Sequence, residues 1–181
     1  MNLYQVILKH IIFFSILIIH TNLYSQLNIT TGVTPQQLVQ NVLIGNGVTA
    51  STITYTGSNQ AIGQFSNGNT TNLGLNSGII LSTGKAIEAA GPVSFTPSTG
   101  FGLGGDPQLQ NLISQTVYDA AVLQFDFIPT ADTLRFRYVF GSDEYPEYVN
   151  SYNDVFGFFI TGPNPAGGVY SNKNIALIPG T

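Results

Sequence analysis

The sequence contains no cysteine, and its only two histidines, His10 and His20, lie near the N-terminus. Without cysteine the chain forms no disulfide bond and no thiolate metal site, so its stability must come from an apolar core. Beyond residue 20 there is no imidazole for a Ser-His-Asp triad or for a histidine metal ligand. We therefore expect that the protein is not an enzyme.

Charged residues are also scarce, at 8% of the chain, and the formal net charge is −4. A nucleic-acid partner requires clustered lysine and arginine, and so does docking on anionic lipid. Beyond the first 25 residues the cations are only Lys85, Arg135, Arg137 and Lys173. The composition thus argues against a nucleic-acid partner and against a lipid surface.

The N-terminal segment has the pattern of a secretory signal peptide. Lys9 precedes the apolar run Ile11–Ile19, and small and polar residues follow up to Ser25. The run is shorter than the about 20 residues that a membrane-spanning helix needs. We predict a signal peptide over 1–25, cleaved after Ser25, and a secreted or cell-surface domain over 26–181 without a membrane span after cleavage.

The domain is dominated by short β patterns. Thr34–Leu43 predicts a helix with Thr34 as its N-cap and Pro35 in its first turn, and Asp106 is the expected cap of a second short helix. Short strands are expected at 51–56, 61–65 and 78–83. Together with the strands described next, these features predict an all-β, jelly-roll-like antiparallel β-sandwich with one or two short helices.

The last third of the chain shows the clearest alternation of apolar and polar residues. Residues 121–128 and 133–140 each alternate with period two, which predicts a hairpin with one buried face. A central strand is expected at 155–161 and a final strand at 175–178. Because the chain ends directly after this final strand, we interpret the domain as truncated at its C-terminus.

The segment Gly100–Gly105 matches the dinucleotide pattern G-x-G-x-x-G. That pattern binds a pyrophosphate only between a strand and a helix of a parallel βαβ unit. Here the expected surroundings are antiparallel, and we interpret the segment as a loop rather than a nucleotide site.

The loop 142–154 is the one stretch dense in chemistry, because it combines carboxylates, amides and tyrosines. Calcium takes six to eight such oxygens, so one hypothesis is a calcium site. A second is a sugar platform, in which rings cover the apolar face of a sugar and carboxylates bind its hydroxyls. A third is purely structural, with the polar residues shaping turns and the tyrosines packing half-buried over the core. The candidate metal ligands are Asp143, Glu144, Glu147, Asn153 and Asp154, and the candidate ligand-binding residues are Tyr145, Tyr148 and Tyr152.

Four stretches of the sequence resemble the choice-of-anchor L domain of secreted and surface proteins from bacteria. They are Thr34–Val39, Gly78–Gly84, Phe136–Tyr148 and Asn153–Ile160. The resemblance implies an exported module that precedes a C-terminal sorting or anchoring signal, in a family without an established catalytic activity. No such signal is present before Thr181.

These observations predict an exported binding, adhesion or scaffold module without catalysis. The alternative is a carbohydrate-binding or carbohydrate-active module that uses the loop 142–154. The expected partners are other domains of the same surface protein and surface glycans or proteins. The expected cofactor is either none or calcium.

Overall fold

The computed structural model describes residues 26–91, 99–142, 145, 148 and 151–177. Within these residues the protein is all-β, with its strands in antiparallel sheets, as predicted. The strands are β1 (Asn28–Thr31), β2 (Val48–Thr56), β3 (Ile62–Ser66), β4 (Gly78–Leu81), β5 (Val122–Pro129), β6 (Phe159–Pro163) and β7 (Val169–Asn174). The helical segments are α1 (Pro35–Leu38), continued by a π-helical turn (Val39–Leu43), α2 (Pro107–Gln110), and 3-10 turns at Gly68–Thr70 and Ala86–Ala90.

The strands form three antiparallel groups. β3 lies between β1 and β4, with Ile62 opposite Leu81 and Ser66 opposite Asn28. β2 pairs with β5, starting at Val48 opposite Pro129, and β6 pairs with β7. Because neighbouring strands run in opposite directions, a short turn at residues 164–168 is sufficient to connect β6 with β7. The connection from β3 to β4 is longer, over residues 67–77, and contains the 3-10 turn Gly68–Thr70.

The buried core surrounds α1. Leu38 and Val39 are fully buried, and the other buried apolar residues are Ile53, Ala61, Ile62, Phe65, Ala86 and Ala120. They come from α1 and its π-helical turn, from β2 and β3, from the 3-10 turn Ala86–Ala90 and from the residues just before β3 and β5. Because apolar burial is the main driving force of folding, this cluster fixes α1 against the sheets.

The start of α1 confirms the predicted cap. The Thr34 hydroxyl accepts the Gln37 N–H at 3.2 Å, and the Gln37 side chain accepts the Thr34 N–H at 3.2 Å. This reciprocal arrangement satisfies two backbone donors that the first helical turn leaves without partners. The predicted helix continues to Leu43, but as a π-helical turn, closed by the bond from Ile44 N–H to the Val39 carbonyl at 3.0 Å.

The predicted hairpin between 121–128 and 133–140 is wrong. The first segment forms β5, and its alternation is as expected, but β5 pairs with β2. Thr130 extends this pairing by one residue, because its N–H and its hydroxyl both donate to the Gly47 carbonyl, at 2.8 Å and 3.0 Å. These bonds join the end of β5 to the start of β2, so the chain beyond Thr130 leaves the sheet.

The segment 133–140 forms no strand in the structure, and its apolar side is not buried as predicted. Phe136 is half-buried, whereas Leu134, Tyr138 and Phe140 are exposed. An alternating pattern identifies a segment that can lie on a surface with one apolar side, but it does not identify the partner.

The last strands also differ from the prediction. The central strand predicted at 155–161 begins only at Phe159 and pairs with β7 alone among the described strands. The final strand ends at Asn174, before the predicted 175–178, whose last residue lies outside the described residues. The residues of β7 are mostly polar. The prediction of a final strand followed the apolar run Ile175–Ala176–Leu177 and therefore placed that strand too late in the chain.

The predicted second helix is present as α2. The Asp106 carboxylate accepts the N–H groups of Gln108 and Leu109, at 2.8 Å and 3.1 Å, as an N-cap does. In the part of the chain that the structure describes, no helix has the length and apolar character to cross a membrane. The predicted signal peptide, 1–25, lies outside the described residues.

Candidate functional site

Two aromatic segments run side by side and define the base of the candidate site. We call them the aromatic arms: the first is Phe136–Phe140 and the second is Phe156–Phe158. Phe136 stacks on Phe158, with ring centroids 4.2 Å apart and an interplanar angle of 16°. The ring centroids of Tyr138 and Phe156 are 5.3 Å apart. The ring pairs therefore follow an antiparallel order, although neither arm forms a regular β-strand at these residues.

The arms bring together the two ends of the segment that joins them, Gly141–Asn153, which we call the tyrosine loop. Phe140, at the end of the first arm, has its ring centroid 6.1 Å from that of Phe156. Ring pairs of this kind contribute about 0.5–1.5 kcal/mol beyond the area that they bury. The hydrophobic alternation detected in the sequence thus serves as a stem for the loop rather than as a strand of a hairpin sheet.

The described tyrosines of the loop all point their rings towards solvent. Tyr145 is 75% exposed, Tyr148 is 47% exposed and Tyr152 is 67% exposed. A short turn holds the last two together, because the Tyr152 N–H donates to the Tyr148 carbonyl at 3.1 Å. Their rings meet edge to face with centroids 6.0 Å apart. The structure therefore brings Tyr148 and Tyr152 into one exposed aromatic pair.

The acidic part of the site is described only at its end. Asp143, Glu144 and Glu147 lie outside the described residues, Asn153 is exposed and Asp154 is half-buried. Across the described ranges, no group of three or more histidine, cysteine or acidic residues is arranged to hold a metal ion. The calcium-ligand prediction consequently remains a prediction.

The first arm is tied to a distant part of the chain by Arg137. Its guanidinium donates to the Gly74 carbonyl at 2.7 Å. The ammonium group of Lys173 lies over the Tyr170 ring, 5.3 Å from its centroid, and that of Lys85 is 4.0 Å from a Glu88 carboxylate oxygen. Arg137, Lys173 and Lys85 thus each have a separate neighbour.

The glycine-rich segment is held by a residue that the sequence reasoning missed. The Asp119 carboxylate accepts the backbone N–H groups of Phe101 and Leu103, at 3.1 Å and 2.6 Å. In turn the Asp119 N–H donates to the Leu103 carbonyl at 3.0 Å. Amides that would face a pyrophosphate in a dinucleotide site are thus occupied by a carboxylate of the chain itself. No pattern in the sequence marks Asp119, since its partners lie 16 and 18 residues away.

Together, the antiparallel sheets and the exposed aromatic loop define a β-domain that presents a tyrosine-bearing surface to solvent. The chain belongs to the choice-of-anchor L domain family, whose family model matches residues 26–181. This membership confirms the resemblance, which the motifs in the aromatic arms and in α1 had indicated. The family consists of surface-associated or secreted modules of bacterial proteins. Comparison with curated proteins gives no match, and comparison with solved structures gives none either.

Proposed function

We propose that this domain is an exported, non-catalytic module that binds a partner outside the cell through its tyrosine loop. Three points support the proposal: the signal-peptide pattern of residues 1–25, the membership of a family of surface-associated modules, and the exposure of the loop tyrosines. The family match begins at residue 26, directly after the predicted cleavage site. Adhesion or scaffolding within a larger surface protein is the role that fits such a module.

The observation that carries the proposal is the exposure of Tyr145, Tyr148 and Tyr152 on one loop. Exposed aromatic rings leave apolar area in contact with water, which is unfavourable unless a partner covers it. Tyrosine suits such a surface because its ring supplies apolar contact while its hydroxyl keeps a hydrogen bond with water or with a partner. The aromatic arms hold the loop ends together, which lowers the entropy that binding must overcome.

A binding assay on coated surfaces tests this proposal. The protein and a variant with Tyr145, Tyr148 and Tyr152 changed to serine are compared for retention on polysaccharide-coated and protein-coated surfaces. Tyr118→Ser is the matched control, because Tyr118 is 67% exposed like Tyr152 but lies on another loop. We expect retention to fall about tenfold or more in the triple variant and to stay unchanged in the control. Equal retention of the triple variant and the parent protein would refute the role of the loop.

A carbohydrate is the second candidate partner, and the edge-to-face pair of Tyr148 and Tyr152 favours it. Such a pair offers one ring to the apolar face of a sugar and a neighbouring hydroxyl to its polar rim. If the partner is a glycan, soluble oligosaccharide competes with the polysaccharide surface. Hydrolysis of a polysaccharide that is lost in Glu144→Gln would contradict the non-catalytic part of the proposal.

Calcium binding at the same loop is a separate part of the proposal. It is supported by the oxygen-rich sequence of residues 142–154, in which Asn153 and Asp154 are the candidate calcium ligands that the structure describes. Extracellular calcium sites bind with dissociation constants of about 10⁻⁴–10⁻³ M, so millimolar calcium should release or absorb heat in a calorimetric titration and raise the melting temperature. Absence of both effects would eliminate this part and leave the tyrosine surface unaffected.

A further inference from the structure

The sequence contains two Asn-Gly pairs, Asn46-Gly47 and Asn67-Gly68. In an Asn-Gly pair the glycine nitrogen can attack the side-chain amide carbon of the preceding asparagine. Glycine favours the reaction because it has no side chain to block the approach and because its backbone reaches conformations that other residues avoid. The two pairs are chemically identical, so any difference between them must come from the fold.

The first pair is open to this reaction. Asn46 and Gly47 form an exposed turn immediately before β2, and Gly47 has a φ of 90°. Among the hydrogen bonds of the described residues, none involves the Gly47 N–H or the Asn46 side chain. The nitrogen that attacks and the amide that is attacked are therefore both accessible, and neither has to break an intramolecular bond.

The second pair is held against the reaction at both of its reacting groups. The Gly68 N–H donates to the Asn76 carbonyl at 2.8 Å, and the Asn67 side-chain amide donates to the Gln26 carbonyl at 2.9 Å. Gly68 is buried, and a Cβ at this position would overlap the Leu75 carbonyl. Attack at Asn67 requires both hydrogen bonds to open in a tightly packed environment.

We propose that Asn46 is a site of spontaneous deamidation and isoaspartate formation, and that the fold protects Asn67 from the same reaction. The Gly47 nitrogen forms a bond to the Asn46 side-chain carbon, the bond from that carbon to the amide nitrogen breaks, and the Gly47 N–H proton leaves with it as ammonia. One water molecule then opens the resulting succinimide at either carbonyl. The products are an aspartate or an isoaspartate at position 46.

The reaction changes the chain where the pairing of β2 with β5 begins. A carboxylate replaces a neutral amide, and in the isoaspartate product the main chain gains one carbon between residues 46 and 47. The Gly47 carbonyl is the acceptor for both bonds from Thr130. The product should therefore loosen these two bonds, whereas β1, β3 and β4, which pair in another sheet, should be unaffected.

Mass spectrometry of the aged protein tests the proposal. Trypsin leaves both pairs in one fragment because Lys85 is the first cation after residue 25, whereas chymotrypsin separates them by cutting at Tyr55 and Phe65. In the folded protein we expect Asn46 to convert at least about tenfold faster than Asn67, since opening two hydrogen bonds slows the second site. Isoaspartyl methyltransferase labelling of the same fragments identifies the isoaspartate product.

Two comparisons make the result decisive. In denaturant the two sites should convert at similar rates, and Asn46→Gln should abolish labelling of the first fragment in the folded protein while leaving the second unchanged. Equal rates at the two sites in the folded protein, or slower conversion at Asn46 than at Asn67, would overturn the proposal.

Discussion

The Asp119 carboxylate lies 2.6 Å from the Leu103 nitrogen and accepts its N–H, which fixes the glycine-rich segment from a distance of 16 residues. Asp119 itself has a φ of 50°, a left-handed conformation that aspartate and asparagine tolerate better than most residues. The backbone bonds from Asp119 to Leu103 and from Ala120 to Gly104 complete the contact. The Asp119 side chain and the isolated antiparallel bridge between Gly104 and Tyr118 thus hold this loop together.

Replacement of Asp119 should separate the contribution of its carboxylate, as a hydrogen-bond acceptor, from that of its left-handed backbone conformation. Asp119→Gly keeps the left-handed backbone but removes the acceptor, and we expect a loss of about 2 kcal/mol in the free energy of unfolding. Asp119→Asn keeps one acceptor oxygen and the same backbone preference, so its loss should be about half as large. Denaturant unfolding measures both values. An equal and small loss in the two variants would contradict the role of the carboxylate.

Substitution by alanine at two neighbouring glycines, Gly104 and Gly105, should have different effects on the stability of the protein. A Cβ at Gly105 would overlap the Val117 carbonyl, whereas a Cβ at Gly104 has no heavy atom within 4 Å. We expect Gly105→Ala to cost about 2–3 kcal/mol, because backbone must move to relieve the overlap. Gly104→Ala should be neutral or stabilise by about 0.5 kcal/mol, since it restricts the unfolded chain. Similar melting temperatures for the two variants would show that the close approach does not exist.

The stacked rings of Phe136 and Phe158 should be energetically coupled. A double-mutant cycle with Phe136→Leu and Phe158→Leu keeps most of the apolar area and removes the ring contact. We expect a coupling energy of about 1 kcal/mol from denaturant unfolding. Ile128→Ala serves as a control, because Ile128 is 71% exposed on β5 and its truncation should change stability by less than about 0.5 kcal/mol. A coupling energy of zero would mean that the arms are not paired in solution.

Burial raises the pKa of the Tyr55 hydroxyl above its usual value of 10.0. The hydroxyl donates to the Ser58 carbonyl at 2.9 Å. Above pH 10.0 the unfolded chain loses this proton first and binds fewer protons than the native state, so stability should fall as the pH rises. Tyr55→Phe removes this titration. The stability advantage of the parent protein over Tyr55→Phe should therefore shrink above pH 10.0, and an advantage independent of pH would contradict the prediction.

Local signals in the sequence predicted local structure well. The Thr34 cap and the Asp106 cap are both present, because a cap depends on residues only two or three positions away. The alternation of β5 is also confirmed, with Leu123 and Phe125 less exposed than Gln124 and Asp126. The pairing of β5 was not predictable in the same way, since it joins segments that are far apart in the sequence: Thr130, directly after β5, meets Gly47 from 83 residues away.

The candidate site was predictable to a similar extent. The sequence left open whether the loop tyrosines pack half-buried over the core or face solvent, and the structure exposes them. Tyr148 and Tyr152 are four residues apart, so one turn brings them together. The role of Phe136, in contrast, was assigned to a sheet, because period-two alternation looks the same in a strand and in an aromatic arm. Asp119 was missed because a single aspartate in a loop carries no periodic signal.

The pairing of the two aromatic arms has an evolutionary consequence. A stem closed by its own ring contacts does not require any particular sequence in the segment that it closes. Substitutions at residues 149–152, which lie between the two stretches that resemble the family, can therefore accumulate without disturbing Phe136 and Phe158. Related domains should keep the arms and the motif residues up to Tyr148 and diversify the short stretch that follows, so that one architecture supplies different contact specificities.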